Sequence, residues 1–353
     1  MLISSIKEFE ESINKLREHL VSIRNKEKIL EYISSTQVPD YLVKGIEQQK
    51  ESRNEEKFFN YNGNIISLYG YWERYIENVI KEYIKCLSEL ETDFSNLPNR
   101  IQNSYFELIK SFHGKLTYPK YCHYDEKYLV NSLYHSLSEN SVDLIADVYL
   151  KNGGNYKFDI VKDCIWKLGL EDFQLICKYP DLKHYFDKKG YTNIEQMDSS
   201  ILFFFLNDLV NRRNEIAHGG SDTEIFSLEI FEDYVNFIQY IAKSINSFLS
   251  DALLDTLWGK NRNEYFKPYK CFSNKKVIVV NKPGYNFTEG GKLLAARPHG
   301  GYPRYTYLSI DSIEVNRQKV EQIQSTSSEE SICLCVGEIL NEKWRLKACD
   351  TII

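Results

Sequence analysis

Apolar residues recur at steps of three and four through three long segments of this chain, and no other sequence feature constrains its fold as strongly. The segments are residues 2–34, 64–90 and 225–257. Residues three and four positions apart share one face of an α-helix, so each segment predicts a long helix with an apolar stripe. Such stripes are buried by packing against other helices, which indicates a mainly helical body.

A fourth helix is predicted over residues 198–218. It begins at three consecutive N-cap candidates, Asp198, Ser199 and Ser200, and ends before the glycine pair at 219–220. Its first turns read ILFFFL and are almost wholly apolar, so we expect them to be deeply buried. The highly polar stretch at residues 46–57 predicts a solvated linker or the end of a helix.

The period of the apolar residues changes after about residue 274. Five short β-type runs follow, and they read VIVV, GKLLAA, YTYLSI, CLCVGEIL and WRLKAC. Short strands between polar and glycine-rich loops are typical of a small barrel or curled sheet. The predicted fold class is therefore mainly α over residues 1–258, with a small all-β, barrel-like domain over residues 270–353.

The charge balance changes at nearly the same point. Residues 260–353 contain 15 Lys and Arg against 10 Asp and Glu, a net charge of +5, whereas the first 259 residues contain 29 against 40, a net charge of −11. The total of −6 argues against nucleic-acid binding through bulk charge. The basic β domain is the part of the chain that we expect to bind RNA, a regulator or a trigger protein.

Several classes of protein are disfavoured by the absence of their motifs. The eight cysteines form no C-x-x-C pair, so neither a zinc site nor a disulfide framework is indicated. The N-terminal residues have no uninterrupted apolar core, and no stretch approaches the ~18 apolar residues of a membrane span. We expect a cytoplasmic protein with no membrane partner. The sequence contains no phosphate-binding glycine motif and indicates no metal and no cofactor.

The segment NRRNEIAHGG, residues 211–220, carries the chemistry. Arg213 is followed directly by Asn214, and four residues separate it from His218, which Ala217 precedes. This pattern resembles the Arg-x(4–6)-His motif of the HEPN superfamily, whose catalytic members are metal-independent ribonucleases. The resemblance implies a HEPN-like helical bundle over residues 64–90 and 198–257, with the helices between them as insertions.

These residue types suit the implied reaction. RNA carries its own nucleophile, the 2′-hydroxyl, and His218 is expected to act as general acid or base at neutral pH. Arg213 is expected to stabilise the charge that builds on the phosphoryl oxygens. The resemblance implies an endoribonuclease that leaves 2′,3′-cyclic phosphate and 5′-hydroxyl ends.

Helix geometry adds a prediction about assembly. Arg213 and His218 are five residues apart, which is about 140° around an ideal helix, so they do not naturally converge within one chain, although a helix end at Gly219 and the length of the arginine could relax this. Two copies of the motif that meet across a two-fold axis solve this problem, as in the HEPN family, and predict a homodimer. Asn214 shares a helix face with His218 and is expected to orient the imidazole or contact a phosphate. The helix dipole favours the imidazolium form of His218.

Four further residues are candidates for the site. Glu73, in YWERYIENVIKEYI, resembles the polar residue of an early HEPN helix and would hold His218 in one tautomer or pair with Arg213. Arg212 would either follow the phosphate backbone or be solvated. Arg297 and Arg304, in the loop RPHGGYPRY, would contact RNA or belong to an ordinary hairpin loop.

Family analogy points to a toxin or antiviral-defence ribonuclease that acts on single-stranded RNA, tRNA or mRNA. Its activity would be restrained by an antitoxin or released by a trigger protein. In some HEPN toxins a tyrosine two residues after the histidine is modified by a nucleotidyltransferase antitoxin. Gly220 stands at that position here, so this mode of control is not expected.

Three alternatives remain open. The first is a HEPN module that binds RNA or a nucleotide without cleaving it. The second is a structural subunit of a larger defence complex. In the third, Arg213 is an ordinary surface arginine and His218 only caps the last turn of its helix.

Overall fold

A computed structural model describes residues 2–34, 39–138, 142–151, 153–219, 225–272, 276–281, 285–298, 301–324 and 331–349. Gly220, which stands at the position of the modified tyrosine, lies outside these residues. In the described part of the chain, no helix is both long and apolar enough to cross a membrane.

The first 260 residues are mainly helical, as the apolar period predicts. The helices of this part are α1 (Ser4–Ser34), α2 (Asp40–Glu51), α3 (Arg53–Leu90), α4 (Asn99–His113), α5 (Glu126–Ser138), α6 (Phe158–Lys167), α7 (Pro180–Lys188), α8 (Ser199–Leu202), α9 (Phe204–Ala217) and α10 (Leu228–Lys260). Short 3₁₀ turns connect several of them.

The polar stretch at residues 46–57 is helical rather than a linker. It forms the end of α2 and the start of α3, with a break only at Ser52. Its residues are mostly Glu, Gln, Lys and Arg, which are strong helix formers. Their polarity reflects the exposure of this part of the helix and does not indicate a loop.

The predicted helix over residues 198–218 is divided in two. Phe203 separates α8 from α9 with backbone angles of φ −109° and ψ 24°. Its buried ring stacks on Phe158 with a centroid separation of 3.7 Å. The predicted start is confirmed, because the Asp198 side chain accepts a hydrogen bond of 2.7 Å from the Ser200 N–H. Gly219, with φ +77°, ends α9 in the left-handed conformation that glycine favours.

Helix α3 lies at the centre of the helical body, where α1, α9 and α10 pack against it. The indole of Trp72 is fully buried and donates a hydrogen bond of 2.8 Å to the carbonyl of Tyr156. The hydroxyl of Tyr75 donates one of 2.6 Å to the carbonyl of Ala242 in α10. These bonds satisfy the polar atoms of two large aromatic side chains, so α3 is held firmly on more than one side.

The predicted small all-β domain is also confirmed. Its strands are β1 (Lys270–Phe272), β2 (Val277–Val280), β3 (Asn286–Thr288), β4 (Lys292–Ala296), β5 (Tyr305–Val315), β6 (Gln318–Val320), β7 (Gln322–Gln324), β8 (Ile332–Val336) and β9 (Arg345–Cys349). The main sheet is antiparallel in the order β1-β2-β8-β5-β4-β9, β6 pairs with β5, and β3 pairs with β7. Phe266 forms a bridge to Leu346 in β9, so the segment before β1 reaches from one edge of the curled sheet to the other.

Asp251 of α10 joins the helical body to the β domain. Its side chain is fully buried and accepts hydrogen bonds of 2.8 Å from the Tyr179 hydroxyl, 3.1 Å from Nε of Arg304 and 2.8 Å from the backbone N–H of Tyr305. A buried carboxylate is tolerated only with such partners, so this junction has a defined geometry.

We predict that Asp251→Ala lowers the free energy of unfolding by about 3 kcal/mol, because the variant leaves buried donors without an acceptor. The matched control is Asp255→Ala. Its half-exposed carboxylate lies 3.6 Å from Arg304 and accepts a hydrogen bond of 2.5 Å from the Tyr305 hydroxyl, and it is expected to contribute about 1 kcal/mol or less because both contacts are open to solvent. Urea denaturation of both variants measures the difference. Equal losses of stability would show that Asp251 has no special role at the junction.

Candidate functional site

Helix α9 carries Arg213 and ends directly before His218, and its apolar residues decide which way its polar side chains face. Leu206, Leu209 and Val210 are fully buried between α3 and α10. The burial of this face places the last two turns of α9, with Arg212, Arg213 and Asn214, beside the first half of α3.

Arg212 is held by partners within the fold. Its Nε donates a hydrogen bond of 2.6 Å to Asp208, and its Nη1 donates one of 2.9 Å to the hydroxyl of Tyr61. The guanidinium also lies over the ring of Phe226 at 3.6 Å. These contacts give Arg212 a structural role between α3, α9 and the start of α10. They argue against its predicted role in binding substrate.

Arg213 has a different environment. Its guanidinium lies 4.7 Å from the centroid of the Tyr69 ring, and its Nη1 donates a hydrogen bond of 3.0 Å to the side-chain oxygen of Asn214. Among the described residues, no carboxylate forms an ion pair with Arg213. The ring and the amide therefore position the guanidinium while its positive charge remains available for an anion.

Tyr69 connects Arg213 to Glu73. The two residues Tyr69 and Glu73 are one turn apart on the same face of α3, and the nearby Tyr69 hydroxyl acts to lower the pKa of the Glu73 carboxyl. The same hydroxyl accepts a hydrogen bond of 2.6 Å from the backbone N–H of Asn155. A Cβ atom on Gly154 would collide with Glu73 and lie 3.0 Å from the Tyr69 hydroxyl. The φ of +70° favours glycine at this position, and the missing side chain lets the backbone approach Glu73 and Tyr69 closely.

Glu73 is half-buried, and this burial, together with the negative charge of Glu77, raises the pKa of its carboxyl. The charges of Arg213 and Lys120 and the Tyr69 hydroxyl act in the opposite direction without cancelling the effect. A carboxyl that is kept in an unfavourable environment beside a positioned arginine is typical of a functional site.

His218 lies at the C-terminal end of α9 and is exposed. Its backbone N–H donates to the carbonyls of Asn214 and Glu215, at 3.0 and 3.2 Å. Its imidazole has no hydrogen-bond or ion-pair partner in the described part of the chain. The Asn214 side chain binds Arg213 and not the imidazole, so its expected role in orienting His218 is not observed within one chain.

The two arginines of the loop RPHGGYPRY are likewise used inside the protein. Arg297 donates a hydrogen bond of 3.1 Å to the carbonyl of Tyr302, and its guanidinium lies 5.1 Å from the Trp344 ring. Arg304 forms ion pairs with Asp251 and Asp255. These contacts favour structural roles in the loop and at the domain junction over the predicted contact with RNA.

The structure brings Arg213, Asn214 and Glu73 into one site and adds Tyr69 and Gly154, which sequence reasoning missed. Tyr69 could have been found from its i,i+4 relation to Glu73 on the same predicted helix. In the sequence, Gly154 belongs to a glycine pair that indicates only an interruption between helices. Its contact with α3 joins residues that are far apart in the sequence and could not be found from local pattern.

The fold and this site define a HEPN-type helical domain followed by a β domain. The family model described as RiboL-PSP-HEPN matches residues 26–251, which is more than half of the chain, and the protein belongs to this family. The match extends from α1 to α10 and includes the helices between the two predicted parts of the bundle, residues 64–90 and 198–257. Comparisons with curated proteins and with solved structures gave no match. Membership of a HEPN family is consistent with a function related to RNA.

The raised pKa of Glu73 predicts a pH-dependent effect of Glu73→Gln. Because the folded protein binds this proton more tightly than the unfolded chain, the ionised carboxylate destabilises the fold at pH values above its folded pKa. Glu73→Gln removes this penalty and should raise the thermal midpoint by a few degrees at neutral pH. The gain should vanish below about pH 4, where the wild-type carboxyl is protonated in both states.

Differential scanning fluorimetry across this pH range measures the effect. The exposed Glu89, changed to Gln, is the matched control and should show no comparable gain. A Glu73→Gln variant that is less stable than the wild type at neutral pH would contradict the assigned environment.

Proposed function

We propose that this protein is a metal-independent endoribonuclease. Arg213 stabilises the phosphoryl group, and His218 transfers the proton. The observation that carries the proposal is the contrast between two neighbouring arginines: Arg212 is neutralised by Asp208, whereas Arg213 is positioned by Tyr69 and Asn214 without a carboxylate ion pair among the described residues. A positioned guanidinium that keeps its charge suits a phosphate.

The reaction needs no group from outside the protein and the RNA. The 2′-oxygen forms a bond to phosphorus while its proton passes to an imidazole that acts as the base. The bond from phosphorus to the 5′-oxygen breaks, and this oxygen takes a proton from an imidazolium. The products carry a 2′,3′-cyclic phosphate and a 5′-hydroxyl. Arg213 stabilises the negative charge on the phosphoryl oxygens as the five-coordinate arrangement forms.

The two proton transfers suit a site shared by two chains, which supplies two copies of His218. One exposed face of α3, beside Tyr69, carries apolar and small residues, and this composition supports a dimer. Phe59 and Ile66 on this face are 71% and 48% exposed, and Gly63 and Gly70 have open space where a Cβ would lie. These four residues follow one another at steps of four, three and four and form one stripe. Apolar and small residues in such a stripe allow a second helix to approach closely.

One observation favours binding without cleavage. The imidazole of His218 has no partner in the described part of the chain that would select a tautomer, whereas catalytic histidines are usually oriented by a neighbouring group. In the proposed dimer the partner chain supplies this group. In a monomer, the same site would hold an RNA phosphate or a nucleotide through Arg213 and would not cleave it.

The biological role that this proposal favours is a toxin or an antiviral-defence nuclease that cleaves single-stranded RNA, tRNA or mRNA. Such an enzyme needs an antitoxin or a trigger protein to restrain or release it. Gly220 makes control by tyrosine modification at that position inapplicable.

We predict that the purified protein cleaves RNA in the presence of EDTA and that Arg213→Ala and His218→Ala each lower the rate by at least about 100-fold. The wild-type products should accept phosphate at their 5′ ends from a polynucleotide kinase without prior dephosphorylation, because they carry 5′-hydroxyls. Gel analysis of labelled RNA measures both properties.

The control variants are His113→Ala and Arg317→Ala, which remove an exposed histidine and an exposed arginine elsewhere. They should cleave at the wild-type rate. Retained RNA binding with no cleavage by the wild type would favour the binding module. Cleavage that survives both Arg213→Ala and His218→Ala would refute the assignment of the site.

We further predict that Gly70→Gln abolishes the dimer and lowers cleavage in parallel. In one chain a side chain at this position meets open space, and replacing a helical glycine adds about 0.5–1 kcal/mol of stability. In the dimer the same side chain would occupy the space of the partner helix. Sedimentation velocity at micromolar concentration measures the state of assembly.

Gly45→Gln is the matched control, because Gly45 in α2 also has open space beside it. This variant should remain dimeric and active. A monomeric wild type, or a Gly70→Gln variant that dimerises normally, would remove the stripe on α3 from the proposed site.

A further inference from the structure

The segment that leads into β1, together with β1 and the start of β9, exposes aromatic and basic side chains where the two edges of the curled sheet approach each other. Tyr265, Tyr269 and Phe272 are 48%, 71% and 38% exposed. The basic residues among and beside them are Lys267, Lys270 and Arg345, and all three are exposed. We call these six residues the aromatic–basic edge.

Backbone pairing explains why part of this set shares one surface. Phe266 is buried and paired with Leu346, so its neighbours Tyr265 and Lys267 point away from the core. In this antiparallel bridge Lys267 stands opposite Arg345. The guanidinium of Arg345 lies 5.6 Å from the Tyr265 ring, so ring and cation are in contact across the two strands.

The edge continues beyond a bend at Tyr269 into β1. The N–H of Tyr269 donates a hydrogen bond of 2.8 Å to the carbonyl of Val279, which fixes this residue to β2 while its ring remains exposed. In β1, the Lys270 ammonium lies 4.9 Å from the Phe272 ring. The second half of the edge thus repeats the arrangement of a cation beside an exposed ring.

Among the described residues, no ion pair neutralises the positive charges of the edge. None of Lys267, Lys270 and Arg345 forms an ion pair in the described part of the chain. The nearby acidic residues are Glu264 and Glu342, and Glu342 already accepts a hydrogen bond of 3.1 Å from the backbone N–H of Cys271. Like charges directly opposite each other, as at Lys267 and Arg345, destabilise a sheet unless an anion lies between them.

We propose that the aromatic–basic edge binds single-stranded RNA. Exposed rings offer stacking surfaces for unpaired bases, and the cations between them are complementary to the negative phosphate backbone that joins those bases. A duplex keeps its bases stacked inside and could use only the charges. A protein partner would need acidic residues to match the cations and gains no particular advantage from rings that lie beside cations.

This inference rests on the proposed function in one respect: the RNA held at the edge is the substrate of the site at Arg213. It also gives the β domain a binding surface that does not depend on Arg297 and Arg304, which have partners within the fold. Binding at the edge and cleavage at α9 involve different residues, so they can be tested separately.

The experiment uses the full chain with His218→Ala, so that RNA is bound without being cut. The probe is a fluorescein-labelled oligouridylate of about 12 nucleotides, and fluorescence anisotropy gives the Kd. Tyr265→Ser and Tyr269→Ser should each weaken binding by about tenfold, because each removes a stacking surface. The control is Tyr41→Ser, which removes an exposed tyrosine of α2 and should leave Kd unchanged.

The charge contribution is measured with the double variant Lys267→Gln and Arg345→Gln. It should lower the slope of log Kd against log salt concentration by about 1.4, because each cation that binds a single-strand phosphate contributes about 0.7 to the slope. The control is Arg317→Gln with Lys319→Gln, which removes two positive charges from the exposed β5–β6 hairpin of the same domain, where Lys319 pairs with Glu289 at 3.2 Å. It should leave the slope unchanged.

Three results would overturn the proposal. The first is an equal weakening of binding in the two charge-matched double variants. The second is a duplex of the same length that binds as tightly and competes fully. The third is a Tyr269→Ser variant that binds RNA as the wild type does but has lost the ability to self-associate. This result would show that the edge is an interface between protein chains.

The same measurements separate this proposal from the proposed nuclease. If RNA binding depends on the aromatic–basic edge but the wild-type protein never cleaves RNA, the RNA-binding proposal is supported and the proposed nuclease activity is rejected. Cleavage by the site at Arg213 with no dependence of RNA binding on the edge would do the reverse.

Discussion

The site depends on the buried hydrogen bond from the Trp72 indole to the carbonyl of Tyr156. This bond ties the segment around residues 153–156 to the middle of α3, where an unpaired indole N–H would be costly. The same segment brings Gly154 against Glu73 and the N–H of Asn155 to the Tyr69 hydroxyl. One packing contact thus decides how closely the chain surrounds the carboxyl and the ring that flank Arg213.

The two adjacent arginines of α9 serve different purposes because of their positions on the helix. Arg212 and Arg213 differ by one position and about 100° on α9, and this rotation sends one to Asp208 and the other to Tyr69. The ion pair of Arg212 stabilises the packing of α9, whereas Arg213 is positioned through a neutral ring and an amide. A charge held by neutral groups keeps its affinity for anions, which is the property that a phosphate site needs.

The basic residues of the β domain also divide into those that have partners within the fold and those that form no ion pair among the described residues. Arg304 and Asp251 neutralise each other's charge at the junction with α10, and Arg297 packs inside its own loop. Lys267 and Arg345, by contrast, form no ion pair among the described residues and lie at an edge with exposed rings. A net positive charge therefore says little about binding until the internally paired residues are known.

The sequence by itself determined the helical body, the change to short strands and the segment that carries Arg213 and His218, because apolar periodicity and short motifs are local properties. It could not separate Arg212 from Arg213, find the partners that Arg297 and Arg304 have within the fold, or find Tyr69 and Gly154. Those distinctions were decided only by the tertiary structure, since they depend on which side chains meet across distant segments. Whether a charge is neutralised by the fold or left for a ligand is a property of such contacts, not of residue type.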